Sequence, residues 1–260
     1  MPRVSIILPY YYHIKYLSEA IYSVFQQSFN DIELIIVNDG SEDDPENIID
    51  RFSPFINKLK YFRNNHIGLS GTLNFGIEKA SGEFIARIDA DDIWKSEKLN
   101  VQIKFLDNNQ KISLLGSSVL FIDEKNALIE DKNGFNNGIG LSHSQLIGNI
   151  LRNNVICASS LIFRRNLMNT VGLYDPFFKT SMDYDFLVRV LSVFKGSVLP
   201  EKLVCYRITR DMMTVKERKQ MIYETTRIRF KALKLLQPSF KEKLNVYKDI
   251  IGLQCWKNLK

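Results

Sequence analysis

The sequence predicts an α/β protein: a mostly parallel central sheet with helices on both faces, followed by a basic helical extension at the C-terminus. In the first hundred residues, short and wholly apolar runs alternate with segments of helical periodicity, which is typical of parallel strands buried on both faces. Hydrophobic residues make up 45% of the chain, enough for a sizeable core. The last fifty residues hold 12 Lys or Arg against 5 Asp or Glu, whereas the first 210 carry a net charge of −1.

The first half of the chain alternates between the two element types. Apolar runs predict strands at 4–8, 33–37, 59–62 and 84–88. Helical spacing of apolar residues predicts helices over 14–25 and 46–52. Two further helices would start at Ser70 and Ser96, whose hydroxyls would cap them, and Gly82 would end the first of these two.

The second half is less regular. Strands are predicted at 112–122, 156–163 and 201–207, the last closing the sheet, and a helix at 182–194. Residues 123–140 are rich in Asn and Gly and predict a loop. The remainder is predicted to be helical and basic, with a break at Pro238.

Cysteine usage and hydropathy narrow the class of protein. The three cysteines, Cys157, Cys205 and Cys255, are odd in number and far apart, which excludes a disulfide framework and a cysteine-rich zinc site. No apolar run reaches the roughly 18 residues that a membrane-spanning helix needs. We interpret residues 4–9 as a first strand and not as part of a signal peptide. A soluble, cytoplasmic protein is therefore expected.

Polar residues follow each of the four predicted strands of the first half. They occupy positions 9–12, 38–41, 63–68 and 89–92. In open α/β sheets, ligands bind beyond the carboxyl ends of the strands. We therefore expect these four stretches to form one binding site at the same rim of the sheet.

The stretch "ARIDADDIW" places three carboxylates, Asp89, Asp91 and Asp92, directly after an apolar run. Strand alternation would put Asp89 and Asp91 on the same side, where their oxygens suit a hard cation such as Mg²⁺ or Mn²⁺. Mg²⁺ prefers one or two carboxylates plus phosphates and water, so the pattern points to a phosphate-bearing ligand. The alternative is a polar loop that caps the next helix. GxxxxGK[ST] and G-x-G-x-x-G phosphate motifs are absent from the sequence.

Three stretches together resemble a family 2 glycosyltransferase of the GT-A fold. They are "VSIILPYYYHIKYLSEAIYSVFQQSFNDIELIIVNDGSEDD", "IDADDIWKSEKL" and "SSLIFRRNLMNTVGLYDPFFKTSMDYDFLVRV", and the match spans roughly residues 3–207. The resemblance implies transfer of a sugar from a nucleotide diphosphate sugar, with inversion at the anomeric carbon. It also implies a GT-A domain at 1–210, with a nucleotide-binding half at 1–110 and an acceptor-binding half at 111–210, before the extension at 211–260.

The resemblance assigns nucleotide-sugar contacts to five residues of the first half. Pro9 and Tyr11 match the residues that border the nucleotide base, and Asp39 matches the acid that contacts it. Gly68 and Asn74 match the segment that lines the nucleotide pocket. The alternatives are core packing for Tyr11, a turn former for Asp39, and turn and helix-surface positions for Gly68 and Asn74.

The resemblance also assigns the metal and the base. Asp89 and Asp91 match the family's D-x-D motif, with Asp91 as the direct ligand of Mn²⁺ or Mg²⁺ and Asp89 shared between the ribose and the metal shell. Asp183 matches the catalytic base. The alternative for Asp183 is the N-cap of the following helix. Asp185 is either the alternative base or a structural residue.

Four positions depart from the family pattern: Tyr12 for Asn, Leu73 for Arg, Met182 for Glu, and Thr209 for His. The histidine usually helps to hold the diphosphate or its metal, and Arg207 or Arg210 would compensate for its loss. These departures bear on donor affinity and metal dependence more than on the fold.

The expected function is transfer from a nucleotide diphosphate sugar, UDP-linked, to a hydroxyl of a saccharide or lipid-linked saccharide in surface polysaccharide synthesis. One alternative is a sugar nucleotidyltransferase, although "PYYYHIK" lacks the glycine-rich basic loop that such enzymes carry after the first strand. Another is a catalytically inactive subunit that binds nucleotide sugars. The basic extension is either a solvated helical surface or a contact with the anionic inner face of the cell membrane, and no nucleic-acid-binding module is visible.

Overall fold

A computed structural model describes residues 1–12, 14–43, 45–130, 140–209 and 216–257 of the chain. These residues form a sheet of nine strands in the order β3-β2-β1-β4-β8-β6-β9-β5, with β7 paired to β6. The strands are β1 Val4–Tyr10, β2 Ile32–Asn38, β3 Leu59–Arg63, β4 Phe84–Arg87, β5 Ile93–Trp94, β6 Ile112–Ile122, β7 Leu128–Ile129, β8 Ile162–Arg164 and β9 Lys195–Arg207.

Helices connect most of these strands. The α-helices are α1 Ile14–Phe25, α2 Glu46–Ile49, α3 Gly68–Lys79, α4 Lys98–Asn108, α5 His143–Ile150, α6 Met168–Val171, α7 Met182–Leu191, α8 Arg218–Leu235 and α9 Phe240–Lys257. Short 3₁₀ helices cover Asp50–Phe55, Ala158–Ser160 and Arg165–Leu167.

The strand directions confirm a mostly parallel sheet. β1 runs parallel to β2 and β4, and β2 runs parallel to β3. β8 is antiparallel to both β4 and β6, so β6 runs in the same direction as β1, and β9 is parallel to β6. Six of the nine strands therefore share one direction, with β5, β7 and β8 opposed.

Two apolar cores cover the two faces of the sheet, as strand alternation requires. Ile6 and Leu8 of β1 pack on the face that carries α1 and α4. Ile7, between them, packs on the opposite face with Leu73 of α3 and Leu187 of α7. The apolar runs of the sequence are thus buried on both sides, and the expected helices on both faces are confirmed.

Four local predictions are wrong. Gly82 does not end α3, which stops at Lys79 with Ala80 as its C-cap. Ser70 lies inside α3, where its hydroxyl donates to the carbonyl of Phe178 at 3.2 Å, and does not cap the helix. Ser96 precedes α4, whose N-cap is Glu97. The strand predicted at 156–163 is reduced to β8, because hydroxyl hydrogen bonds turn the chain at 158–160 into a single 3₁₀ turn.

The C-terminal extension is helical, with a break between α8 and α9 at the predicted Pro238. Ile228 of α8 and Val246 of α9 are fully buried in the core that contains α7. No helix within the described ranges is both long and apolar enough to span a membrane. The domain boundary predicted at residue 210 lies outside the described residues and stays a prediction.

Candidate active site

The strand order brings the four predicted loops together. β3, β2, β1 and β4 are neighbours that run in the same direction, so their carboxyl ends lie along one rim of the sheet. The residues that follow these ends are those that the sequence analysis singled out. A shared rim was therefore predictable from the alternation of strands and helices alone.

An aromatic platform lies at the β1 and β3 ends of this rim. The half-buried ring of Tyr11 stacks on His66, with 4.3 Å between centroids and 24° between planes. His66 adopts a left-handed φ of 27°, and its Nδ1 lies 3.1 Å from Oδ2 of Asp39. Tyr11 is therefore not a core residue, and its ring partner is a histidine that the sequence analysis did not select.

Asp39 holds the start of α3. Its carboxylate, 3% exposed as a residue, accepts backbone N–H groups from Ile67 at 2.7 Å and Gly68 at 2.9 Å. These are N–H groups of a helix N-terminus, which lack partners within the helix and favour negative charge. Asp39 is thus more than a turn former.

Two glycines shape the backbone beside Asp39. Gly40 has a φ of +74°, and a Cβ there would lie 2.9 Å from the backbone nitrogen of His66. Gly68 has a φ of +78° with open space where a Cβ would stand. The backbone at Gly40 therefore passes close to the backbone of His66, and open space remains beside Gly68 at the start of α3.

Pro9 ends the apolar part of β1. It is buried and pairs with Val37 of β2, whereas the pairing of β1 with β4 stops two residues earlier, at Ile7 and Arg87. A proline, which cannot donate a ladder hydrogen bond, is tolerated at such a position.

The structure gives Asn74 a different setting from the predicted one. Its Nδ2 donates to the carbonyl of Tyr174 at 2.8 Å, and its Oδ1 accepts the N–H of the same residue at 2.9 Å. Both ends of the amide are used within the protein, so Asn74 ties α3 to the 174 loop. The donor site that we propose below does not include it.

A buried arginine forms an ion pair with the acidic stretch. Arg87, the last residue of β4, is 4% exposed and donates from Nε to Oδ1 of Asp89 at 2.8 Å. Its Nη1 lies 3.8 Å from Oδ1 of Asp183 and, among the described residues, makes no hydrogen bond. One guanidinium therefore links the D-x-D motif with the predicted base.

Asp183 occupies the second position of α7, one residue after the helix begins at Met182. The N-cap is Ser181, so Asp183 is not the cap. Burial raises the pKa of the Asp183 carboxyl, and the nearby charge of Arg87 offsets part of this effect. A carboxylate with a raised pKa and a half-exposed position can accept a proton.

Asp185 is a structural residue. Its side chain is 0% exposed and bonds Arg189 at 2.7 Å and Lys231 at 2.5 Å. Both oxygens are therefore neutralised within the protein, one by α7 and the other by α8.

The three acids of the D-x-D stretch separate into two kinds. Asp92 is 1% exposed, and its oxygens accept the hydroxyl of Ser159 at 2.5 Å and the N–H of Arg207 at 2.9 Å. Burial, together with the charges of Asp91 and Asp89, raises the pKa of Asp92 well above its usual range. Asp92 thus belongs to the interior, whereas Asp89 and Asp91 are half-buried at the rim.

Arg207 braces the D-x-D stretch from β9. It is 1% exposed and stacks on Tyr16 with 4.1 Å from guanidinium carbon to ring centroid. All three of its side-chain nitrogens donate to the protein. The acceptors are the carbonyls of Asp91 and Asp123 and the side chains of Asn126 and Glu19.

These contacts make the predicted compensation by Arg207 wrong, because its guanidinium is already engaged and enclosed. Arg210, the other candidate, lies outside the described residues. Thr209 is 6% exposed, and its hydroxyl has no hydrogen-bond partner among the described residues.

The acidic rim fits a divalent cation only as a partial site. The described part of the chain holds no cluster of three or more His, Cys, Asp or Glu able to enclose a metal ion. Mg²⁺ and Mn²⁺ need only one or two protein carboxylates when phosphates and water complete the shell. Asp89 and Asp91 offer such oxygens at the surface of the rim, so the residues present fit this mode of binding.

Two residues of the site were given no individual role from the sequence: Arg87, and His66, which was expected at the rim only as part of the stretch 63–68. A signal was available for Arg87, since it is the one charged residue in the apolar run "FIARI". A charge inside a strand buried on both faces requires a partner nearby. His66 offered no comparable signal, because its ring partner lies 55 residues away in the sequence.

Residues 5–170, more than half of the chain, match the family model described as "Glycosyl transferase family 2". The chain belongs to glycosyltransferase family 2. The family assignment inferred from the three quoted stretches is thereby confirmed.

Several curated glycosyltransferases resemble this family 2 chain. An uncharacterized glycosyltransferase of Rickettsia typhi is 31% identical over 199 residues, which cover 74% of this chain and 59% of the relative. One of Haemophilus influenzae is 30% identical over 212 residues, covering 80% of this chain and 66% of the relative. The chain therefore spans about three fifths to two thirds of these relatives.

Solved structures share the GT-A fold. S. aureus TarS has a TM-score of 0.71 at 20% identity, covering 96% of this chain and 71% of that chain. A complex of TarS with UDP-GlcNAc gives the same TM-score. The mannosyltransferase PcManGT from Pyrobaculum calidifontis, in complex with GDP-Man and Mn²⁺, has a TM-score of 0.68 at 15% identity, covering 97% of this chain and 70% of that chain.

Proposed function

We propose that this family 2 glycosyltransferase is an inverting, metal-dependent hexosyltransferase. It takes a sugar from a nucleotide diphosphate sugar, UDP-linked, and transfers it to a hydroxyl of a saccharide or lipid-linked saccharide. The observation that carries the proposal is the single guanidinium of Arg87, 2.8 Å from Asp89 and 3.8 Å from Asp183. Donor-side and acceptor-side carboxylates thus lie around one buried charge.

The donor base would stack on the platform of Tyr11 and His66, beside the carboxylate of Asp39. Gly68 leaves open space above the start of α3, where the backbone approaches the donor without a side chain. TarS, one of the structures that share this fold, was solved with UDP and with UDP-GlcNAc, and these complexes support the proposal of a UDP-linked donor. Pro9, at the end of β1, would border the base beside Tyr11.

Asp91, with Asp89, would hold Mn²⁺ or Mg²⁺. When bound, the ion neutralises charge on the departing diphosphate. PcManGT was solved with Mn²⁺, which supports the proposal of a divalent ion at this rim. Asp89 and Asp91 would supply carboxylate oxygens to the ion, and Arg87 supplies the positive charge beside Asp89.

Asp183 accepts the proton of the acceptor hydroxyl while the hydroxyl oxygen forms a bond to the anomeric carbon. The bond from that carbon to the diphosphate oxygen breaks in the same step, which inverts the configuration. A positioned base of this kind contributes about 10²-fold to 10⁴-fold in rate. The raised pKa of Asp183 suits a group that must take up a proton near neutral pH.

The decisive experiment is a donor panel of UDP-glucose, UDP-galactose and their N-acetyl forms with Mn²⁺, scored by UDP release and by the anomeric configuration of the product. Asp183→Asn should keep UDP affinity and lose about 10²-fold or more of the transfer rate. Asp249→Asn, in α9, breaks an ion pair with Arg152 and is the matched control. Unchanged transfer in Asp183→Asn would exclude it as the base.

The panel, together with a second assay that supplies UTP and a sugar phosphate, separates the rival functions. A sugar nucleotidyltransferase would release pyrophosphate from UTP and a sugar phosphate. An inactive binding subunit would bind UDP-sugars without hydrolysing or transferring them.

We further propose that α8 and α9 dock on an anionic lipid surface at the inner face of the cell membrane, where a lipid-linked acceptor would lie. Residues 240, 244, 247 and 251 recur at helical spacing on one face of α9 and are all exposed, between 45% and 82%. Tyr247 contacts the exposed Phe230 of α8, with 6.4 Å between centroids, which joins the faces of the two helices. Lysines flank this apolar stripe at 241, 243 and 248, and the resulting charge selects anionic lipid.

Flotation with vesicles of phosphatidylcholine, with and without phosphatidylserine, tests the docking. Binding should require phosphatidylserine and fall with added salt, because the exposed charges are screened. Leu244→Glu should reduce binding, whereas Leu128→Glu, on the remote and exposed β7, should not. Equal recovery with both vesicle types would contradict the proposal.

A further inference from the structure

One buried carboxylate of the C-terminal extension faces the loop that precedes Asp183. Glu224 of α8 is 0% exposed. It accepts the N–H groups of three successive residues, Lys179, Thr180 and Ser181, each at 2.9 Å. The hydroxyl of Thr180 donates to it at 2.7 Å as well. A single side chain thus takes up all three backbone donors of 179–181.

Among the residues that the structure describes, the carboxylate of Glu224 is bound by backbone N–H groups and not by a positively charged side chain. In the described part of the chain, the groups that bond Glu224 are backbone N–H groups, a hydroxyl and the amide of Gln220. Burial raises the pKa of Glu224, but these hydrogen bonds more than offset burial, and the pKa is lowered overall. The carboxylate is therefore charged at neutral pH, and hydrogen bonds to a charged acceptor are the strong ones.

The same loop is also bonded to α3. Asn74 bonds both backbone groups of Tyr174, and Ser70 donates to the carbonyl of Phe178. The loop from 174 to 181 is therefore bonded both to α3, whose start carries the proposed donor site, and to α8. α7 begins at Met182, directly after the three residues bound by Glu224.

We propose that Glu224 is a positioning residue for the transfer reaction, in that it holds residues 179–181 so that Asp183 meets the acceptor hydroxyl. This inference rests on the proposed role of Asp183 as the base. It makes α8 part of the active-site scaffold and not only a basic surface helix. Lys231 of α8 adds a second tie, through its 2.5 Å contact with the buried Asp185 of α7.

Glu224→Gln is the sharpest test, because it preserves size while removing half of the acceptor capacity. A carboxamide has one acceptor oxygen, and its NH₂ group would face N–H donors. We expect the transfer kcat to fall at least tenfold. The donor KM and the affinity for UDP with Mn²⁺ should stay within about twofold, because Tyr11 and Asp39 lie on other elements.

Glu242→Gln is the matched control. Glu242 lies on the next helix, α9, where it likewise accepts a backbone N–H at 2.8 Å and a hydroxyl at 2.6 Å, both from Ser239. Its loss should leave kcat unchanged. Equal kcat values for wild type and Glu224→Gln would overturn the proposal. So would a parallel loss of kcat, UDP affinity and melting temperature, which would indicate general destabilisation.

Hydrogen–deuterium exchange at the amides of 179–181 provides a readout that needs no turnover. In Glu224→Gln these amides should exchange at least tenfold faster, while amides of α9 keep their rates. Unchanged exchange would overturn the proposal even if activity fell. Absence of any transfer by the wild type would instead refute the proposed function, and the exchange result would still decide whether Glu224 holds the loop.

Discussion

The guanidinium of Arg87 lies 3.8 Å from the carboxylate of Asp183, although 95 residues separate them in the sequence. The same guanidinium donates to Asp89 at 2.8 Å. A buried cation that faces two carboxylates lowers the free energy of their charged forms. Arg87 therefore joins the two sides of the proposed site and favours the charged form of Asp183 against the effect of burial.

Replacing Arg87 should change the pH dependence of transfer. In Arg87→Met the pKa of Asp183 rises further, because the charge that offsets burial is gone. Transfer requires unprotonated Asp183, so the acid limb of the kcat profile should move to higher pH. Arg87→Lys, which retains the charge, should move it less.

Arg87→Met should also lower the free energy of unfolding by about 3 to 5 kcal/mol, the usual effect of removing one partner of a buried ion pair. Urea denaturation measures this. Arg152→Met, which breaks an exposed pair with Asp249, is the control and should have a small effect. An acid limb at the same pH in wild type and Arg87→Met would contradict the role of Arg87.

The platform at the β1 end should contribute to nucleotide affinity. Tyr11→Ala removes one member of the ring pair with His66 and should weaken UDP binding by about tenfold, since base stacking on an aromatic side chain is worth about 1 to 3 kcal/mol. Tyr11→Phe should retain binding. Isothermal titration with UDP provides the measurement, and Tyr22→Ala, on an exposed face of α1, should bind as the wild type does.

Metal dependence should be carried by Asp91. For the wild type, removal of Mn²⁺ with EDTA should abolish transfer and weaken UDP binding. Asp91→Asn should already bind UDP weakly and respond little to Mn²⁺, because a ligand of the ion is lost. Asp31→Asn, an exposed acid before β2, serves as the control. The same UDP affinity with and without Mn²⁺ in the wild type would count against a metal at this rim.

Glu33, which lies away from the site, should contribute to stability against acid. Glu33 is 5% exposed and accepts hydrogen bonds from Lys60, Ser5 and Ser81. Burial alone would raise its pKa, but these bonds lower the pKa of Glu33 to about 2. A depressed carboxyl pKa adds stability above the unfolded-state pKa of about 4.3, and this contribution is lost as the pH falls toward 2.

Glu33→Gln should therefore lower the free energy of unfolding at pH 7 by about 3 kcal/mol and flatten its decline between pH 4 and pH 2. Urea denaturation at several pH values tests this. Glu83→Gln, whose side chain is half exposed in its pairs with Arg3 and Arg164, should shift stability by less than about 1 kcal/mol. Equal effects of the two substitutions would refute the prediction.

Much of the rim at the carboxyl ends of β1 to β4 was predictable from the sequence. The apolar runs of β1 to β4 are local patterns, and parallel strands joined by helices bring their carboxyl ends to one edge. Tyr11, Asp39 and Asp89 therefore lie on the expected rim. The hydrogen bonds of Asn74 to Tyr174 were not predictable, because whether an amide faces a ligand or a neighbouring loop depends on which loop the tertiary structure places beside it.

The sequence by itself determined the sheet, the family and the acidic stretch at the end of β4, because these depend on periodicity and on contiguous motifs. Only the tertiary structure decided the partners of the buried charges: Arg87 between two carboxylates, Arg207 enclosed, and Glu224 bound to the loop before Asp183. The physical reason is that a buried charge needs a compensating group within a few ångströms, and that group comes from whichever distant segment packs there.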